Sequence, residues 1–258
     1  VIYVSLILLI VITLYPIIYI LSVSLSSSEA YESGRVVFLP VDFNLDAYKV
    51  VFKAGTVPRS LLNSVIYTLL YTFVALLLTT SMAYPLSRAK ERVPFKGFFS
   101  KLVVFTMFFS GGMIPSYLNV RSLHLDNTVW ALVLPIGINT FNMLILRNFF
   151  MSIPEEIEES AKIDGASAVQ VLVQVVLPLS VPILMTVGLW FIVAHWNAWL
   201  DCVIYIRDSN KYVLQAVLRK IIIDAAPQFD NMNTTAQDIS QIDTEVVKSA
   251  TIVVSTLP

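Results

Sequence analysis

Two regions of this 258-residue chain gather side chains with chemistry to offer. The first is a run of carboxylates, Glu155, Glu156, Glu158, Glu159 and Asp164, interleaved with Ser160, Ala161 and Lys162 and closed by Gly165. The second is a set of polar and aromatic residues inside otherwise apolar stretches: Asn63, Asn139, Asn142, Trp190, His195, Trp196, Asn197, Trp199 and Asp201. Amide, imidazole and carboxyl groups are costly against lipid, so these must face other helices or water. There they either line a polar path or bond across helices, and Trp has a further ordinary place at a membrane interface. Both readings stay open for each single residue. The density from His195 to Asp201 favours a pathway segment.

The catalytic alternatives lack their parts. No G-x-x-x-x-G-K-[ST] loop is present to cradle nucleotide phosphates, so any ATP used must be hydrolysed on another subunit. Neither H-E-x-x-H nor G-x-S-x-G occurs, which leaves an intramembrane hydrolase without its usual groups. One cysteine, Cys202, excludes an internal disulfide and a multi-cysteine metal site, and two histidines make a His-rich centre improbable. No cofactor or metal is expected. The net charge of −1 offers no basic field, so nucleic acid is excluded as a partner.

The elements that hold these residues belong in a bilayer. Hydrophobic residues make up 57% of the chain, charged ones only 14%, and the mean hydropathy is +0.76. Charge-free runs cover Val1 to Ser28 and the stretches between Arg59 and Arg88, between Lys101 and Arg121, and between Asp126 and Arg147. Each is long enough for one crossing, which takes roughly 20 apolar residues. The next run, Gly165 to Leu200, would measure about 54 Å as one helix. It is broken by Leu177-Pro178 and Pro182, so a fifth span is expected at about Leu179 to Ile204. A sixth begins after Lys248 and stops short at Pro258, and the chain opens at Val1 without a Met, so both termini are expected to be incomplete. Pro16, Pro85, Pro115, Pro135 and the Gly111-Gly112 pair fall within spans, as membrane helices tolerate.

Arg88, Lys90, Arg92, Lys96 and Lys101 between spans two and three mark that loop as cytoplasmic. Alternation then puts residues 147–178 inside and the long 205–247 segment outside. The expectation is an all-α integral membrane protein of six transmembrane helices, the last truncated, forming one domain over residues 1–258.

The cytoplasmic segment 152–178 carries its own helix signals. Ser152 with Glu155 has the form of a capping box, and Pro154 suits a first turn. The carboxylates oppose the positive end of the dipole, and Gly165 suits a left-handed stop. This predicts a short helix over Pro154 to Asp164, presenting Ala161 and Gly165 for close approach by another protein.

Glu159-Ser160-Ala161, Gly165 six positions on, and Leu177-Pro178 at eighteen and nineteen resemble the EAA signature of ATP-binding-cassette importer permeases. Ser160 replaces the family's second Ala, and Val175 stands where Ile is usual. The run Leu132 to Leu184 and the sequence His195 to Asp201 resemble the carbohydrate-uptake branch, which includes the second permeases of maltose, lipo-oligosaccharide-type and alginate importers. The resemblance implies a MetI-like fold in a bacterial inner membrane. It also implies a second related permease, two copies of a cytoplasmic ATPase and an extracytoplasmic sugar-binding protein. On that footing Glu159, Ser160, Ala161, Asp164, Gly165, Leu177 and Pro178 couple to the ATPase. The intramembrane Trp and Asn residues would stack on and bond a saccharide, and the 205–247 loop, with Asn231, Asn233, Thr234, Thr235 and Gln237, would meet the binding protein. A membrane-embedded enzyme or a secondary transporter is the alternative, although no inverted repeat is visible.

Overall fold

A computed structural model describes residues 2–53, 55–89, 93–223 and 243–256. All regular structure among them is helical. In chain order, α1 (Ile2–Ser24) is followed by the short α2 (Ser28–Glu32) and α3 (Asp46–Lys53), then by the long α4 (Thr56–Ser87). Next come α5 (Lys96–Phe108), α6 (Met113–Ser122), α7 (Trp130–Val133) and α8 (Thr140–Ser152). The segment α9 (Glu155–Ile163) precedes α10 (Ala168–Val171), a π-turn at Leu172–Val176 and α11 (Leu177–Leu179). The chain continues through α12 (Val181–Trp196), α13 (Leu200–Tyr205), α14 (Leu214–Ile223) and α15 (Thr244–Thr256).

Contacts gather the described residues into two compact units. The first contains residues 1–64 and 208–258. In it α15 packs against α1, α3 and α14. Val246, Val247, Ala250, Thr251 and Val254 form the buried stripe of α15, at the spacing one helix face requires. Small hydroxyls fix the turn after α1: Ser22 donates to Phe38 O at 2.8 Å, and Ser24 meets Tyr48 Oη at 2.8 Å. From Ile2 to Ile18 every residue of α1 is exposed, an apolar surface suited to lipid or a neighbouring helix.

The second unit covers residues 65–207. One of its cores joins Tyr71 and Ala75 of α4 to Val133 of α7 and to Val187 and Phe191 of α12. A second joins Ala83, Tyr84 and Leu86 at the end of α4 to Met143, Leu146 and Phe150 of α8, and to Val171 and Val176.

Only α1 and α4 are continuous helices long and apolar enough to cross a bilayer, among the described residues. At 1.5 Å per residue α4 measures about 48 Å against a hydrocarbon core of about 30 Å, so at least one of its ends lies outside the core or the helix tilts. The third, fourth and fifth expected spans are interrupted, and each break has a local cause. Between α5 and α6 the axis turns by 118° at Phe109–Gly112, where Gly112 has φ +86. The fourth span is broken between Val133 and Thr140, where Pro135 lacks an N–H and Gly137 lies so close to Leu78 that a Cβ would sit 3.2 Å from its side chain. Before α12 the axis turns by 84° at Ser180, between Pro178 and Pro182; Ser180 Oγ takes up the Val176 carbonyl at 2.6 Å. The fifth span stops again at Asn197, whose side-chain amide donates to Val193 O at 2.8 Å and so competes with the helix ladder.

Candidate functional site

The coupling segment is built by its ends. Gly165 (φ +88) follows Asp164, the C-cap of α9, with Gly165 N–H donating to Lys162 O and Ala166 N–H to Ala161 O, both at 3.0 Å. Those two bonds and the left-handed glycine constitute a Schellman stop. The start differs from the expected capping box at Ser152. Ile153 precedes a proline and is extended (φ −74, ψ 125), so α8 runs through Ser152, whose hydroxyl donates back to Phe149 O at 2.7 Å. Pro154 itself takes the N-cap position of α9, without a side-chain bond. A true capping box stands one helix later, where Ser167 Oγ accepts from Gln170 N–H and Gln170 Oε1 from Ser167 N–H.

The inward face of α9 is its second feature. Glu158 is 1% exposed, and one of its carboxylate oxygens is in direct contact with Arg88 Nη2, just beyond the end of α4. Tyr84 Oη lies 3.4 Å from the other oxygen, and the Arg88 guanidinium sits 4.9 Å from the Tyr84 ring centroid. Arg88 Nη1 also donates to Phe150 O at 3.0 Å, so one cation joins α4, the end of α8 and α9. Ala161 lies one turn on from Glu158 and is half-buried against the core around Phe150. Its small side chain lets α9 approach the chain's own helices. The exposed Lys162 adds a second cation, its Nζ 3.8 Å from Glu158. The outward face holds Glu156, Glu159, Ser160, Asp164 and Gly165, all exposed, with Ile163 at 86%. Leu177 and Pro178 form the short α11 that leads to the bend at Ser180.

The polar residues of the spans fall into separate groups. Asn63, in the first unit, donates from Nδ2 to Asn210 O at 2.8 Å and Tyr212 O at 3.1 Å, bracing the segment after α13. Asn139 caps α8 by accepting from Asn142 N–H at 3.1 Å, and Asn142 is buried in the first turn. His195 is buried on α12: Nδ1 meets Thr68 Oγ1 at 3.1 Å, and the ring stacks on Tyr71 at 4.5 Å. It ties α12 to α4. Trp190 and Asn197 are exposed, while Trp196, Trp199 and Asp201 are half-buried around the Asn197 break. Asn231, Asn233, Thr234, Thr235 and Gln237 lie outside the described residues, as do Lys90 and Arg92.

Residues 51–200, which carry α9 and both cores of the second unit, match the family described as the binding-protein-dependent transport system inner membrane component. The chain belongs to that family. Among relatives of this permease, the polygalacturonan/rhamnogalacturonan transport system permease protein YtcP of Bacillus subtilis is 40% identical over 247 residues, 94% of this chain and 84% of the relative. Protein LplC of the same organism is 42% identical over 96% of this chain and 82% of its own length. A solved bacterial ABC transporter involved in import of the acidic polysaccharide alginate contains a chain that superimposes with a TM-score of 0.90 at 34% identity, covering 99% of this permease and 90% of that chain. The permease thus has the MetI-like, all-helical fold and is an integral membrane transport subunit rather than an enzyme.

Sequence reasoning missed Arg88 and Glu158 as a pair. A signal was present: Arg88 directly ends a charge-free run, and Glu158 and Ala161, three residues apart, share one helical face. What no pattern gave was which of four neighbouring glutamates turns inward.

Proposed function

We propose that this permease forms half of the translocation path of an ATP-driven importer for saccharides, as a multi-pass protein of a bacterial inner membrane. A second related permease completes the path, two copies of a cytoplasmic ATPase drive it, and an extracytoplasmic sugar-binding protein delivers substrate. The observation that carries this reading is α9: its inward face is locked by a buried ion pair and its outward face is left exposed. Glu159, Ser160, Asp164 and Gly165 form the ATPase-facing side in this reading, while Ala161, Leu177 and Pro178 set its position against the spans. The names of two relatives supply the substrate class to test first, because polygalacturonan and alginate are both acidic saccharides.

Within the path, Asn63, Asn139, Asn142, Trp190, His195, Trp196, Asn197, Trp199 and Asp201 remain the residues to test. The exposed Asn197 and its aromatic neighbours Trp196 and Trp199 are the strongest group, since flat rings and amides suit the two kinds of sugar surface. The test is ATP-driven uptake by the reconstituted transporter in vesicles, comparing an oligogalacturonate with a neutral malto-oligosaccharide. Uptake of neither refutes the saccharide reading. In the same vesicles Asn197→Leu is expected to lower uptake about fivefold, the equivalent of one hydrogen bond of about 1 kcal/mol. Unchanged uptake would assign Asn197 to ending α12 and nothing more.

A further inference from the structure

We propose that the Arg88–Glu158 pair is a mechanical tie that makes α9 move with the end of α4, so that both are positioning residues for coupling. This rests on the transport reading above. Three helix ends meet at Arg88. It follows Ser87, the last residue of α4; it donates to Phe150 O in the last turn of α8; and it holds Glu158 in the first half of α9. The carbonyls around it are also tied down: Arg147 Nε donates to Leu86 O at 2.8 Å, Ser87 Oγ to Tyr84 O at 2.6 Å, and Lys96 Nζ to Arg88 O. Cations at the carbonyl end of α4 also suit its dipole.

A buried ion pair is a poor way to gain stability alone, because apolar residues of similar volume do as well or better. What it supplies is direction. A leucine in place of Glu158 could slide on the surrounding apolar surface, whereas a carboxylate against a guanidinium fork holds one register. The half-buried Ala161, one turn on, brings the α9 backbone close to the same core, so rotation of α9 about its axis is resisted at two points.

The discriminating variant is the apolar double, Arg88→Met with Glu158→Leu, in the assembled transporter in lipid vesicles. Three quantities are measured: the thermal midpoint, amide exchange over residues 157–164, and saccharide taken up per ATP hydrolysed. Expected are a midpoint close to that of the parent, exchange about tenfold faster and uptake per ATP lower by about fivefold or more. Arg88→Lys, which keeps the charge but loses the fork, should fall between. Parental exchange and parental uptake per ATP in the double variant would overturn the tie. So would a loss of uptake that merely follows a lower midpoint. If the parent itself takes up no saccharide, the transport reading fails, and the exchange rates still decide whether the pair holds α9.

Discussion

ATP-driven uptake should fall to background in Gly165→Asp, with the permease still in the membrane. The backbone at this position has φ +88, and the stop of α9 depends on it through the bonds from Gly165 N–H and Ala166 N–H to Lys162 O and Ala161 O. A side chain in that conformation costs roughly 1–2 kcal/mol. A carboxylate beside the negative end of the helix dipole adds about 0.3–1 kcal/mol. Together these shift the helix-end equilibrium by about tenfold to a hundredfold. The element they act on has nine residues and little stability of its own. A Cβ at Gly165 would meet no atom within 4 Å, so overcrowding within the chain contributes nothing. Gly165→Ala separates the two remaining causes, since Ala meets the strain of the left-handed region and carries no charge. Partial loss in the Ala variant with complete loss in the Asp variant is the expected pattern. Full uptake in Gly165→Asp would detach the end of α9 from coupling.

That glycine was legible in the sequence because its signal is local: carboxylates before it, a cation in the last turn, and a residue type that fits one backbone region. Family membership was legible for a similar reason, through Glu159, Ala161, Gly165, Leu177 and Pro178 at fixed spacing. The spans were legible only as lengths of chain without charge, and charge does not report continuity. Gly111-Gly112, Pro135 and Pro178 with Pro182 stood in plain view, yet whether each bends or breaks a helix depends on where the freed carbonyls find donors. Ser180 Oγ on Val176 O and Asn197 Nδ2 on Val193 O are answers of that kind. The same holds for His195. Its chemistry pointed to a polar path, and its place is set by Thr68 and Tyr71, more than a hundred residues earlier in the chain.

The pairing of Arg88 with Glu158 is the part that no local rule supplies, and it carries a large expected effect on stability. Glu158→Leu should lower the free energy of unfolding by about 3–5 kcal/mol, because it leaves a buried guanidinium without its counter-charge. Arg88 is 5% exposed, so water cannot readily take the place of the carboxylate. The contact with the Tyr84 ring remains, but a cation over an aromatic face contributes only about 0.5–2 kcal/mol. Lys162 cannot compensate, being itself a cation. Glu156→Ala, on the exposed face of the same helix, should stay within about 0.5 kcal/mol of the parent. Denaturant unfolding of the solubilised permease, followed for the parent, Glu158→Leu, Arg88→Met and the double variant, makes the comparison a closed cycle. The double variant should recover most of what either single change loses, since it removes both charges together. A Glu158→Leu protein that unfolds within about 1 kcal/mol of the parent would mean that water reaches Arg88 after all. The Glu158 contact would then be an exchangeable surface pair, and α9 would be held by Ala161 and the apolar core alone.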